Sequence, residues 1–212
     1  MAYYMAKRSG SMSKSLNDTL VLHIATLALP RGAYLATPKL DLHATDFTIA
    51  AQVRLDSIAN RNILLGNWSS NQNAWQMLLA VNSGGKPALN LRKDFPTTGS
   101  IPDQDLVGLV GTREVRAQEW HHVAATFTWG DDRKTPVAML YLDGESMGRA
   151  TPTIDRNDQR LDNRYTLKSS PNAYLIGRKE DTSDNDSWFA GQINNLRIYT
   201  SALTGEDLRQ LL

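Results

Sequence analysis

The sequence predicts an all-β domain of sandwich or barrel type, with one short helix at its C-terminal end. Three observations carry that reading. Short apolar or alternating runs recur past residue 17, separated by clusters of Gly, Pro, Asn and Asp, the pattern of many short strands joined by turns. The clearest run, Phe47 to Leu55, puts Phe47, Ile49, Ala51, Val53 and Leu55 on one side and Thr48, Gln52 and Arg54 on the other, as a half-buried strand requires. Helical signals are confined to the end, where Thr204-Gly205-Glu206-Asp207 fits a capping box and Leu208, Leu211 and Leu212 are available to dock.

Taken in order, residues 1–16 are polar and read as a flexible N-terminal tail or an added leader, leaving residues 17–212 as a single domain. Lys7, Arg8 and Lys14 ahead of the apolar run Leu20–Leu29 superficially resemble a signal peptide. The charged region is long, His23 interrupts the run, and Pro30-Arg31-Gly32 is a turn rather than a small-residue cleavage site. Leu20–Leu29 therefore reads as a strand. It is about half the ~20 residues a membrane helix needs, so no membrane insertion is expected. After Phe47–Leu55, strands are expected at 62–66 and 74–81, split by the polar stretch Trp68 to Asn73. Asn82 to Pro87 is a turn, 88–92 a strand, and 93–113 a long loop with a short strand near Leu106 to Val110. Strands follow at Trp120–Phe127 and Val137–Leu142, the second running into Asp143-Gly144, a strong short-hairpin signal. Residues 152–171 read as a surface loop, 173–177 as a strand, 179–187 as an acidic loop and 188–199 as the last strand.

Composition narrows the function classes. Lys and Arg number 23 against 22 Asp and Glu, a formal net charge of +1, which leaves no electrostatic footprint for nucleic acid. There is no cysteine, which removes disulfides, thiolate metal sites and cysteine nucleophiles. The core must hold by packing, and a chain of this size has the means, since it buries about 70% of its unfolded surface.

Several runs carry a family resemblance. They are Leu35-Ala36-Thr37-Pro38-Lys39-Leu40 with Asp46 to Ala51; Glu119-Trp120-His121-His122-Val123-Ala124 with Leu140-Tyr141-Leu142-Asp143-Gly144; and Ile176-Gly177-Arg178 with Phe189 to Tyr199 and Ala202-Leu203-Thr204. In combination they resemble a laminin G-like domain of the concanavalin A-like lectin and glucanase superfamily. The resemblance implies a two-sheet antiparallel jelly-roll sandwich with the short helix on its flank. It does not imply one function, because the superfamily hosts lectins, carbohydrate-binding modules, glycosidases, lyases and adhesion domains. Gln52 stands where a tryptophan is frequent in the family, and Asn194-Asn195 where acidic residues are usual. On the sequence alone, neither departure adds a site.

Catalysis is disfavoured on the residues themselves. A retaining glycosidase needs two carboxyl groups ~5 Å apart, and acid-x-acid spacing inside a strand would supply them. The two such pairs, Asp103-Gln104-Asp105 and Asp184-Asn185-Asp186, both fall in expected loops. His121 and His122 are adjacent in a strand, so they face opposite ways and cannot share one ion. The acidic loop is a better metal candidate: Asp181, Asp184 and Asp186 offer the clustered oxygens that Ca2+ prefers.

Sugar recognition has the stronger residue-level case, because a sugar pairs apolar C–H faces with dense hydroxyls and is met by aromatic rings beside amides and charged groups. Trp68 and Trp75 flank a stretch rich in Asn and Gln, and Trp188 follows the acidic loop. The candidate carbohydrate-binding set is Trp68, Asn71, Asn73, Trp75, Arg92, Asp94 and Trp188. Trp129, before the Gly130-Asp131-Asp132 turn, is a further loop aromatic, whereas Trp120 at the head of a strand is expected in or near the core. Asn-x-Ser/Thr sequons occur at Asn17, Asn67 and Asn185.

The expected function is that of a non-catalytic carbohydrate-binding module or lectin, calcium-assisted through the acidic loop, with a glycan as partner. One alternative is an adhesion or assembly domain that binds protein or a second copy through a sheet face such as Thr48, Gln52 and Arg54. The other is a degraded glycosidase or lyase. The sequence leaves the compartment open, and an extracellular or cell-surface role agrees with the sugar reading.

Overall fold

Alternation along each strand sorts the chain into two antiparallel sheets of six. The computed structural model describes residues 18–40, 42–67, 76–92, 105–130, 136–151, 167, 173–179 and 187–212. Its strands are β1 (Leu20–Leu29), β2 (Leu35–Ala36), β3 (Phe47–Leu55), β4 (Asn62–Gly66), β5 (Met77–Val81), β6 (Pro87–Arg92), β7 (Asp105–Val110), β8 (Trp120–Thr128), β9 (Val137–Leu142), β10 (Glu145–Ala150), β11 (Leu175–Ile176) and β12 (Gly191–Tyr199). A short helix, α1 (Gly205–Arg209), follows. Sheet A has the order β1-β12-β3-β8-β9-β10 and sheet B the order β2-β11-β4-β5-β6-β7. This is the expected all-β sandwich with a short C-terminal helix. Leu20–Leu29 is a strand, paired with β12 from Leu20↔Tyr199 to Leu29↔Gly191. The tail at residues 1–16 lies outside the described residues.

The core is what the alternation predicts. Phe47, Ile49, Ala51, Val53 and Leu55 of β3 and Val123, Ala125 and Phe127 of β8 pack against Leu65, Met77, Leu79, Val81, Leu89 and Leu91 of sheet B. On β12 the period breaks once. Asn195 adopts a left-handed φ of 51° where the pairing with β3 shifts register. That bulge lets Ile193 and Leu196, three residues apart, both face the core. At the Asp143-Gly144 hairpin both residues have positive φ, 53° and 77°, the conformation a tight two-residue turn demands. Asp143 is held in it by accepting from the His122 N–H at 2.8 Å.

The outer face of sheet A departs from expectation. Thr48, Gln52 and Arg54 were to form an open polar surface, yet Thr48 is fully buried. Its hydroxyl donates to the Ser201 carbonyl at 2.7 Å and accepts from the Leu203 N–H at 2.8 Å. Above it a second apolar cluster gathers Ala50, Ala124, Tyr141, Tyr199, Leu203, Leu208 and Leu211. Thr204 caps α1 as the motif predicts: its hydroxyl accepts from the Asp207 N–H, and its own N–H donates to the Asp207 carboxylate. Leu208 and Leu211 dock, but Leu212 is 55% exposed, and its carbonyl accepts from Gln52 Nε2 at 2.9 Å. A two-residue period reports which side chains share a face. It does not report what later folds over that face.

Two tryptophans also trade places. Trp129 is buried, edge-on to Phe127 at 5.0 Å between ring centroids, and its backbone N–H donates to the Asp46 carboxylate at 2.8 Å. Trp120, expected near the core, is 44% exposed on the outer face of sheet A.

Leu208→Ala should therefore cost about 2–4 kcal/mol in a denaturant-unfolding measurement, the usual range for a buried leucine. Leu212→Ala should stay within about 0.5 kcal/mol. Equal losses for the two would refute this docking of the C-terminal segment.

Candidate functional site

The two ends of sheet B present different chemistry. At one end, Asn67 leaves β4 with a buried side chain. Its Oδ1 accepts from the N–H groups of Gln76 at 3.2 Å and Met77 at 3.0 Å, and its Nδ2 donates to Gln76 Oε1 at 3.3 Å. The Tyr174 hydroxyl also donates to Gln76 Oε1, and the Tyr174 N–H donates to Thr37 Oγ1 at 3.2 Å. Arg92 is buried beside them, its backbone N–H donating to the Gln76 carbonyl at 2.9 Å. This network pins both roots of segment 68–75 and the root of segment 93–104 to one place. Trp68, Asn71, Asn73, Trp75 and Asp94 lie on those segments, outside the described residues. Asn67 itself is committed to the network, so its sequon is closed to glycosylation in the folded protein.

At the other end, three chain segments bring an arginine onto two rings. The Arg178 Cζ lies 4.3 Å from the Tyr34 ring centroid and 5.0 Å from that of Trp188. Its Nε donates to the Lys179 carbonyl at 3.0 Å. Tyr34 precedes β2 and is 50% exposed, and Trp188 precedes β12 and is half-buried. Cation–π contacts of this kind contribute about 0.5–2 kcal/mol each. Asp181, Asp184 and Asp186 lie in the segment between Lys179 and Ser187, outside the described residues. Among the described residues, no group of three or more His, Asp or Glu could hold a metal ion.

Strand register separates two residues that the sequence grouped. Arg92 sits beyond the Met77↔Leu91 pair. Arg178 follows β11, where the Gly177 N–H donates to the carbonyl of Leu64 in the middle of β4. Arg92 and Arg178, the arginine over Trp188, thus sit at different levels of the sheet, with β4 and β5 between β11 and β6. Sequence reasoning missed Tyr34 and Arg178. The run Ile176-Gly177-Arg178 was read for scaffold alone, and nothing in it says which rings will lie beneath the guanidinium.

The sequence profile of the Concanavalin A-like lectin/glucanases superfamily matches residues 30–209. The chain belongs to this superfamily. Among curated proteins, none matches it. Solved structures of the same fold include the CBM40 of the Ruminococcus gnavus IT-sialidase bound to sialyllactose, at 16% identity and a TM-score of 0.67, covering 91% of this chain and 98% of that one. A heptameric SAP-like pentraxin from Limulus polyphemus aligns at 15% identity and 0.59, over 88% and 80% of the two chains. Domain 4 of an extracellular arabinanase from Geobacillus stearothermophilus, in complex with arabinotriose, aligns at 15% and 0.59, over 87% and 74%. At these identities the likeness is one of fold.

Within the superfamily sandwich the two adjacent histidines separate as alternation requires. His121 Nδ1 lies 2.9 Å from Asp143 Oδ2, and its Nε2 accepts from the Arg116 N–H at 3.2 Å. The proton therefore sits on Nδ1 and is donated to the carboxylate. His122 is buried, and burial lowers its pKa from 6.5 to about 4, against the opposing pull of Asp143 and with a smaller push from Arg197.

Both polar arrangements can be tested through stability. Asn67→Ala leaves two backbone N–H groups without their acceptor, at about 1–3 kcal/mol each. Amide exchange at Gln76 and Met77 should accelerate, and unchanged protection would show that Asn67 does not pin the segment. For His122, the folded pKa of about 4 lies below the ordinary 6.5, so the unfolded chain binds the proton more tightly. Its contribution is complete above about pH 6.5 and is lost as the pH falls toward 4, by at most about 3 kcal/mol. Thermal midpoints measured across that window should fall less steeply in His122→Gln than in the parent chain.

Proposed function

We propose that the chain is a non-catalytic carbohydrate-binding module that takes a glycan at the Tyr34–Arg178–Trp188 end of sheet B. The observation that supports this is the Arg178 guanidinium seated over two rings, with Tyr34 half exposed. Aromatic faces suit the C–H side of a sugar, and a charged donor strengthens hydrogen bonds to its oxygens. Because the rings hold the arginine before any ligand arrives, less ordering cost falls on binding. The solved neighbours that carry sialyllactose and arabinotriose add support at the level of the fold. Trp68, Asn71, Asn73, Trp75 and Asp94 enter the proposal as further glycan contacts at the Arg92 end. The described strands contain one acid each in β7 and β10, Asp105 and Glu145, which lie in different sheets. They do not make the paired carboxylates of a retaining hydrolase.

Calcium assistance belongs to the same reading. Asp181, Asp184 and Asp186 carry the hard oxygen donors that the ion prefers, in a segment that ends one residue from Trp188.

A glycan array run with calcium and with a chelator tests the proposal. Binding is expected, weakened by chelation. Trp188→Ala should lower affinity by roughly tenfold, about 1.4 kcal/mol for one aromatic contact. An array without hits in either condition overturns the reading.

A further inference from the structure

The C-terminal segment closes only part of the outer face of sheet A, and strand register gives the order of what is left. One row across β12, β3 and β8 reads Gln192, Arg54, Trp120, and the next reads Asn194, Gln52, His122. The row beyond contains Ala50 and Ala124, already inside the apolar cluster under α1. Trp120 and Gln192 are exposed. Arg54 is fixed in place: its Nε donates to the Gln118 carbonyl at 3.0 Å and its Nη2 to Gln118 Oε1 at 2.7 Å.

In the second row, two atoms lack what buried polar atoms nearly always have. His122 Nδ1 and Asn194 Oδ1 are buried with no hydrogen-bond partner among the described residues. They flank Gln52, whose Nε2 makes a solvent-exposed bond to the Leu212 carbonyl.

We infer that this surface is a second ligand site, distinct from the platform on sheet B, and that its ligand is a sugar ring. The Asn194 oxygen can only accept, so the ligand must bring donors. Cationic donors are disfavoured, because Arg54 and Arg197 share the face and the outward positions of β12, β3 and β8 hold no carboxylate. Asp143, in the nearby turn, is engaged by His121 and by the His122 N–H. Neutral hydroxyls meet the requirement. Trp120 and His122 stand two residues apart on one face, roughly 7 Å, which matches the span of a single ring. The ring stacks on Trp120, and a hydroxyl at its edge replaces the exposed Gln52–Leu212 bond and supplies a donor to the Asn194–His122 row.

The test is a titration of the full chain with sialyllactose and with arabinotriose, following the indole N–H signals of the five tryptophans by NMR. The Trp120 signal should move along a saturable curve, in the parent chain and equally in Trp188→Ala. Trp120→Ala should remove one binding equivalent with its melting midpoint unchanged. Asn194→Leu should weaken the Trp120 site severalfold and leave the Trp188 signal as it was. If the Trp188 signal moves and Trp120 stays still, this inference falls and the sheet B platform stands. Movement of Trp120 alone keeps this inference and removes the platform. If neither moves with either sugar, both fall.

Discussion

Thr48 ties the C-terminal segment to sheet A, and much of what the surface can do follows from that tie. Its hydroxyl serves Ser201 and Leu203 together, so the chain turns back over the sheet at a fixed point after β12. Thr204 then starts α1, and Leu208 and Leu211 come down on Ala50, Ala124, Tyr141 and Tyr199. Over that half, β3 and β8 are buried on both faces. Apolar burial at about 25 cal/mol per Å² is what a cysteine-free chain must rely on, and the segment adds a second cluster to the inter-sheet core. Leu212 of the same segment meets Gln52. Beyond it the sheet keeps Arg54, Gln192 and Trp120 at the surface, where side chains can meet a partner.

Much of this was readable from residue order. The alternation from Phe47 to Leu55 gives β3 and its inward face. Asp143-Gly144 gives the hairpin because both positions tolerate positive φ, and the Thr204 motif gives the start of α1. What could not be read depends on residues far apart in sequence. Thr48 looks like a solvent-facing threonine until Leu203, 155 positions away, arrives above it. Trp129 looks like a loop aromatic until Phe127 and Asp46 enclose it. Arg92 and Trp188 look like members of one set in the sequence, whereas in the structure Arg92 is rooted at Gln76 and Trp188 lies beneath Arg178. For the candidate site the sequence offers residue types, whereas the contact of Arg178 with Tyr34 and Trp188 depends on three segments distant in sequence.

The proposed recognition surfaces share a design. Each takes long side chains from rigid strands or their immediate flanks and restrains them before a ligand arrives. Arg178 lies over Tyr34 and Trp188, and Arg54 is bonded twice by Gln118. Asn67 and Gln76 do the equivalent for the two ends of segment 68–75, which they bond to each other. Near-neutral net charge is consistent with such sites, since an uncharged sugar gains little from long-range steering and depends on contacts already in place.

The pairing of β1 with β12 has a consequence in time as well as space. His23 and Asn195 meet across that pair although 172 positions separate them, and β12 is the strand that joins β1 to β3. Until Gly191 to Tyr199 has been synthesised, β1 has no neighbour and β3 keeps one edge unpaired. Such long-range pairings form slowly, because the chain must close a large loop before any bond rewards it. Sheet A thus joins β1 to β3 only once β12 has been made, with an unpaired edge open in the interval. For a chain that waits in this way, a lack of cysteine is protective: no wrong disulfide can form while the final strand is awaited.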